Sequence, residues 1–240
     1  MSRYVVGSVP YVNARPLVAK FLEDNSEVTV VETVPSGLPT FLDSGEFQAI
    51  LVSSIELLRA GRMTVGSVGI VSHGPVESVR IVSKVPWQEI RTLTPDPASM
   101  TSNALAQILL REDGIEFELS TDDADAVVLI GDAGFRAKTL PGYHYDLGEL
   151  WTAQTGLPFV WARWVSNVSR PELGELLDGA YEWSLLPKHR ERFIKESAKV
   201  AGWTYEEVDR YLTECVSHTI GARELAGFAR FCELCAKYWL

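Results

Sequence analysis

Hydrophobic and polar positions fall into short alternating blocks from the start of the chain. Arg3 to Ser8 is rich in β-branched residues and predicts a strand, and the spacing over Pro16 to Leu22 predicts a helix. Glu27 to Val34 predicts a second strand and Leu38 to Leu42 a short helix. Ala49 to Ser53 is an apolar run bounded by serines, followed by helical spacing over Ile55 to Ala60. Strand and helix alternating three times predicts a parallel α/β layer with helices on both faces.

The texture changes near Gly66. Val65 to Val71 and Val76 to Ser83 predict two strands with no helix between them. Thr92 to Thr94, a helix from about Thr101 to Arg111 and a strand over Ala126 to Ile130 then suggest a second α/β lobe. Leu157 to Trp164 is apolar and aromatic, and everything from Pro171 onward reads as helix, with breaks at Pro171, Pro187 and Gly202. No fixed-period repeat and no Ser/Gly-rich linker interrupts this order. It predicts a discontinuous first lobe, residues 1–75 and 165–240, with residues 76–164 inserted as the second lobe and two crossings between them. Ligands in such an arrangement bind in the cleft between lobes, where strand ends and helix N-termini converge.

Composition narrows the function. With 240 residues, 46% of them hydrophobic, the chain can bury a sizeable core. A formal charge of -10 argues against general nucleic-acid binding, although a few local donors still suffice for an anionic ligand. No apolar signal core and no stretch of bilayer length stands out. Cys215, Cys232 and Cys235 make a poor disulfide framework, so the chain reads as a cytoplasmic protein with no membrane partner. The CxxC of Cys232 and Cys235 lies in a helical run without a second ligand pair. His73, His144, His189 and His218 are scattered. No phosphate-binding loop, dinucleotide fingerprint or nucleophile elbow occurs, so no metal, nucleotide or other cofactor is expected. Oligomeric state is not legible.

Four segments carry candidate chemistry. Gly7 to Leu17 runs from a strand into a loop and a helix opened by Pro16, which places Asn13 near the N-cap either as a simple cap or as a ligand group. Ser53-Ser54-Ile55-Glu56 has the form of a capping box at a strand's end, where the hydroxyls also suit a ligand. Asp96 to Ser102 precedes a helix, and Ser99, Thr101 and Ser102 exceed what capping needs, favouring an anion site. In Val127 to Ala133 a strand meets a Gly-Asp turn. There Gly131 permits close backbone approach, and Asp132 either positions a hydroxyl, acts as a base or only closes the turn.

The segment Val9-Pro10-Tyr11-Val12-Asn13-Ala14-Arg15-Pro16-Leu17 resembles the signature of the chorismate dehydratases, which open the futalosine route to menaquinone. The likeness continues through Ser78-Val79-Arg80, Ser99-Met100-Thr101-Ser102, Leu129 to Ala133, Asp146 to Trp151 and Thr155 to Ala162, in family order. This resemblance implies a type-II periplasmic-binding-protein-like fold of two α/β lobes. It implies a hydro-lyase that removes water from chorismate, a small dicarboxylate, to give 3-[(1-carboxyvinyl)oxy]benzoate. It makes Asn13 the expected catalytic residue, a hydrogen-bond donor or orienting group near the leaving hydroxyl; an amide is no base near neutral pH, so a substrate carboxylate is the hypothesised proton acceptor. Ser78, Ser99, Thr101 and Ser102 are expected to bind carboxylate, Ser53 and Ser54 to line the site, and Gly131 and Asp132 to approach the ligand; Arg15 is left between anion binding and the helix surface. The rivals are a non-catalytic solute-binding protein and the sibling 1,4-dihydroxy-6-naphthoate synthase.

Overall fold

The computed structural model describes residues 3–24, 27–58 and 61–239. Its strands are β1 (Tyr4–Ser8), β2 (Val28–Glu32), β3 (Ala49–Ser53), β4 (Met63–Ser72), β5 (Val79–Ser83), β6 (Thr92–Thr94), β7 (Glu118–Leu119), β8 (Ala126–Ile130), β9 (Tyr143–Asp146), β10 (Phe159–Ser166) and β11 (Ser217–Thr219). Its helices are α1 (Arg15–Glu23), α2 (Leu38–Asp43), α3 (Met100–Glu112), α4 (Gly131–Arg136), α5 (Leu147–Thr155), α6 (Pro171–Ser184), α7 (Pro187–Ala201), α8 (Tyr205–Arg210) and α9 (Ala222–Tyr238). The helix expected over Ile55 to Ala60 is a 3-10 helix, Ser54–Leu58; residues 59 and 60 lie outside the described residues.

Two compact units form, residues 1–71 with 160–221 and residues 72–159 with 222–240. The first holds a six-stranded sheet in the order β11-β4-β10-β3-β1-β2. β1 pairs in parallel with β2 and β3, the arrangement the strand–helix alternation predicts. β10 adds antiparallel to β3. Interior β3 reads Ala-Ile-Leu-Val-Ser with its first four residues buried, as expected for a strand covered on both faces. On one face a Cβ at Gly7 would strike the Leu38 and Phe47 side chains, so α2 and the loop after it close tightly on β1. α1 packs against α6.

The prolines open helices. Pro16, Pro171 and Pro187 each sit in a first turn, where the missing N–H costs nothing. Gly202, at φ 68°, closes α7 in the left-handed conformation that disfavours a side chain. The expectation that every element after Pro171 is a helix is corrected by β11. Its three residues, paired with β4, are too few to leave a periodic signature.

The second unit holds a five-stranded sheet in the order β7-β6-β8-β5-β9. β6 is parallel to β7 and β8, whereas β5 runs antiparallel to both of its neighbours. The C-terminal helix α9 belongs here, although segment order alone groups it with the first lobe. Aromatic contact is the reason: the Phe231 ring meets Phe159 at 5.1 Å, and Phe159 meets Trp151 at 5.2 Å, both edge-on. Gly227 also lies so close to the Pro158 carbonyl that a Cβ would collide with it. No helix among the described residues is long and apolar enough to cross a membrane.

Candidate functional site

In the first unit the candidate residues gather at the C-terminal ends of parallel β1 and β3. After β1, Val12–Ala14 makes one 3-10 turn that runs straight into α1. The α1 N-cap is Ala14, with no side-chain capping bond, so Asn13 does not cap the helix. Its Nδ2 donates to the Tyr211 hydroxyl at 3.4 Å. Its main-chain oxygen accepts from His218 Nε2 at 2.8 Å. The side-chain Oδ1 is buried and has no hydrogen-bond partner among the described residues. A buried amide oxygen left unpaired costs about 1–3 kcal/mol, so the loop holds an acceptor in readiness for a donor.

His218 is fully buried, and desolvation pulls its pKa down to about 4, opposed in part by its bond to the Asn13 carbonyl. The ring is therefore neutral near pH 7. Because a carbonyl only accepts, Nε2 carries the proton. The Tyr181 ring lies 5.2 Å away.

The other residues of this group divide. Ser53 ends β3, half-buried and in register with Ala162. Ser54 is fully buried and its Oγ donates to the Val160 carbonyl at 2.7 Å, which makes it a bond between strand ends. Ser54→Ala is expected to cost about 1–2 kcal/mol, because the buried carbonyl loses its partner; the urea-unfolding midpoint measures this. Arg15 faces Glu32 at 2.9 Å, so its charge is engaged at the edge of α1. Ser8, fully buried at the end of β1, presents an Oγ with no partner among the described residues.

In the second unit, Ser78, the Asp96 to Ser102 loop and the β8–α4 junction share one end of the five-stranded sheet. Val79 is in register with Ile130, which puts Ser78 beside the end of β8. Asp96 Oδ2 accepts from the Ile130 amide at 3.2 Å and Oδ1 from the Ala98 amide at 2.8 Å. The Asn103 side chain brackets the Asp96 backbone, accepting from its N–H at 2.8 Å and donating to its carbonyl at 2.7 Å. The loop is thus fastened to the strand it must lie beside.

The hydroxyls there are not equivalent. Ser99 is the α3 N-cap, accepting from the Ser102 amide at 3.2 Å and lying 2.9 Å from the Ser102 hydroxyl. Thr101 and Ser102 are buried in the first turn. Gly131 adopts φ 58° and opens a helix where the sequence suggests only a turn. Asp132 stands in that first turn, and burial raises its pKa against the opposing pull of Arg136. A Cβ at Gly134 would meet the Ser78 and Leu129 carbonyls, so α4 sits directly on the Ser78 backbone.

Before Ser78, Glu77 takes φ 58°, a strained conformation for a side-chain-bearing residue. Asp146 holds it there, accepting from the Val76 and Glu77 amides at 3.0 and 2.7 Å while capping α5.

The residues that sequence reasoning missed are Ser8, Tyr211 and His218. Ser8 belongs to the stretch Arg3 to Ser8, whose pattern shows only a strand. Tyr211 and His218 stand about two hundred positions beyond Asn13, and no local pattern links them to it.

The comparisons with known proteins agree in one direction. A family model described as menaquinone biosynthesis matches residues 4–237. A chorismate dehydratase of Campylobacter jejuni (serotype O:23/36, strain 81-176) is 28% identical over 242 residues, covering 96% of this chain and 97% of its own. A chorismate dehydratase of Thermus thermophilus is 32% identical over 200 residues, covering 71% and 72%. Among solved structures, a protein of Archaeoglobus fulgidus superposes with a TM-score of 0.76 at 17% identity, covering 99% of this chain and 98% of its own. The periplasmic aliphatic sulphonate binding protein SsuA of Escherichia coli does so at 0.65 and 16%, covering 98% and 87%. These neighbours identify the fold as periplasmic-binding-protein-like, with mixed α/β composition and two sheets. The chain belongs to the menaquinone biosynthesis family.

Proposed function

We propose that this chain is a chorismate dehydratase, a hydro-lyase that removes water from chorismate to give 3-[(1-carboxyvinyl)oxy]benzoate. The observation that carries the reading is the Campylobacter relative of that name, matched across 96% of the chain. The reaction expels the ring hydroxyl together with a neighbouring ring proton, and the ring becomes aromatic. Much of the driving force is therefore intrinsic to the substrate. The protein has to hold two carboxylates, orient the ring and stabilise the departing oxygen.

Asn13 suits the second task, orientation. Its buried, unpartnered Oδ1 accepts from the substrate's hydroxyl, and a substrate hydroxyl aligned in this way is a leaving group held in one geometry. An amide is no base near neutral pH, so the proton goes elsewhere. A substrate carboxylate is one acceptor. Asp132 is the other, since burial strengthens it as a base. Ser78, Ser99, Thr101 and Ser102, around the α3 N-terminus, supply hydroxyl and amide donors of the kind that hold a carboxylate.

Incubation of the purified protein with chorismate, followed by chromatography with mass detection, tests the reading. Loss of one water is the expected outcome. Chorismate binding without turnover overturns it in favour of a solute-binding protein, as the sulphonate-binding neighbour is. The same assay on Asp132→Asn separates the acceptors. If Asp132 takes the proton, kcat falls about tenfold or more and the acid limb of its pH profile disappears; if the substrate carboxylate does, that limb remains.

A further inference from the structure

Among the described residues the inward-facing arginines differ in how their charge is met. Arg62, its side chain 5% exposed, meets Asp43 and Glu56 at 2.5 and 2.8 Å. Arg15 meets Glu32, whereas Arg80, also buried, has only the Glu77 carbonyl for its Nη2, at 2.6 Å, and a buried Nε without a partner among the described residues. Arg163 has no such arrangement. It lies in β10, an interior strand of the six-stranded sheet, and is 8% exposed. Its Nε is buried without a hydrogen-bond partner, and no carboxylate among the described residues pairs with it.

Its neighbours on β3 are apolar. Arg163 is in register with Val52, and Val165 with Ile50, so these side chains share a face of the sheet. Gly7 is the β1 partner of Ile50, and Leu38 and Phe47 close over Gly7. Burial alone lowers the Arg163 pKa, with no acidic neighbour raising it. An uncompensated buried charge destabilises a fold, and such costs are retained mainly where function uses them.

We propose that Arg163 binds the carboxylate of an organic acid. Its planar fork fits a carboxylate through two parallel hydrogen bonds. One guanidinium balances one negative charge, so a carboxylate monoanion leaves the pair neutral, whereas a phosphate dianion does not. The choice of an aromatic acid rests on the dehydratase reading, whose product is a substituted benzoate. Arg163 stands inside a run of aromatic and aliphatic side chains, Phe159 to Val165.

The test is calorimetric titration of the intact protein with benzoate and with its uncharged analogue benzamide, in wild type, R163M and R163K. Wild type is expected to favour benzoate over benzamide about tenfold or more. R163M is expected to lose that preference through weaker benzoate binding, while its melting temperature stays equal or rises. R163K, which keeps the charge without the fork, is expected to fall between them. Equal benzoate affinity in wild type and R163M overturns the proposal, as does a wild type without preference for benzoate. Should R163M fail to fold, a wild-type preference in R163K overturns it equally. Chorismate turnover separates the two readings: absence of turnover in wild type fails the dehydratase reading and leaves the benzoate comparison decisive for Arg163. Normal turnover with an unchanged KM in R163M keeps the dehydratase and removes Arg163 from it.

Discussion

Asn13→Ala is expected to lower kcat for chorismate by about a hundredfold, the scale of loss when a reacting group is no longer held in its productive orientation. The reasoning starts from geometry. The Asn13 backbone is fixed by His218 at 2.8 Å and its amide nitrogen by Tyr211 at 3.4 Å, so the remaining Oδ1 has one orientation. A group held this way costs no reorganisation when the hydroxyl departs, and its loss falls on kcat more than on KM. Tyr211→Phe removes only the hydroxyl that orients Asn13, so its effect is smaller, about tenfold. Steady-state kinetics with far-ultraviolet circular dichroism measure both. A folded Asn13→Ala protein with turnover within threefold of wild type would remove Asn13 from the chemistry.

The candidate residues of the two units are unevenly legible in the sequence, and the reasons are physical. The β1–α1 segment was legible because a β-branched strand, a polar loop and a first-turn proline each have local signatures. The Ser99 to Ser102 helix start was legible for the same reason, although it took coordinates to separate Ser99 as a cap from buried Thr101 and Ser102. What stayed hidden is set by pairing between distant segments. β11 carries His218 to Asn13, yet three residues of strand amid helices have no period to detect. Ser54 looked like a ligand hydroxyl until β10 arrived with the Val160 carbonyl. Helix α9 joined the second unit through Phe231 and Phe159, a contact that amphipathic spacing cannot assign to a partner. Arg163 was silent because a strand pattern shows that a residue is inside, not whether its charge is matched.

The His218 environment has a consequence for stability that acid titration will reveal. Its folded-state pKa is depressed to about 4 from an ordinary value of 6.5. Above pH 6.5 both folded and unfolded chains hold the ring neutral, and its ionisation costs nothing. Below 6.5 the unfolded chain takes up a proton that the folded chain refuses, so stability falls with pH until about 4, where both forms are protonated. The full loss is about 3 kcal/mol, a large part of a typical domain's stability. His218→Gln is the informative partner, because its amide can donate to the Asn13 carbonyl without titrating. Urea-unfolding free energies of wild type and His218→Gln, measured between pH 7.5 and 4, are expected to converge or cross as the pH falls, with the carboxylates common to both cancelling in the difference. A difference that stays constant over that window would mean the ring is not buried in its neutral form. At pH 7.5 a further variant tests positioning: His218→Ala is expected to lower kcat with little change in KM, and His218→Gln to restore it, since what the ring supplies to Asn13 is one N–H.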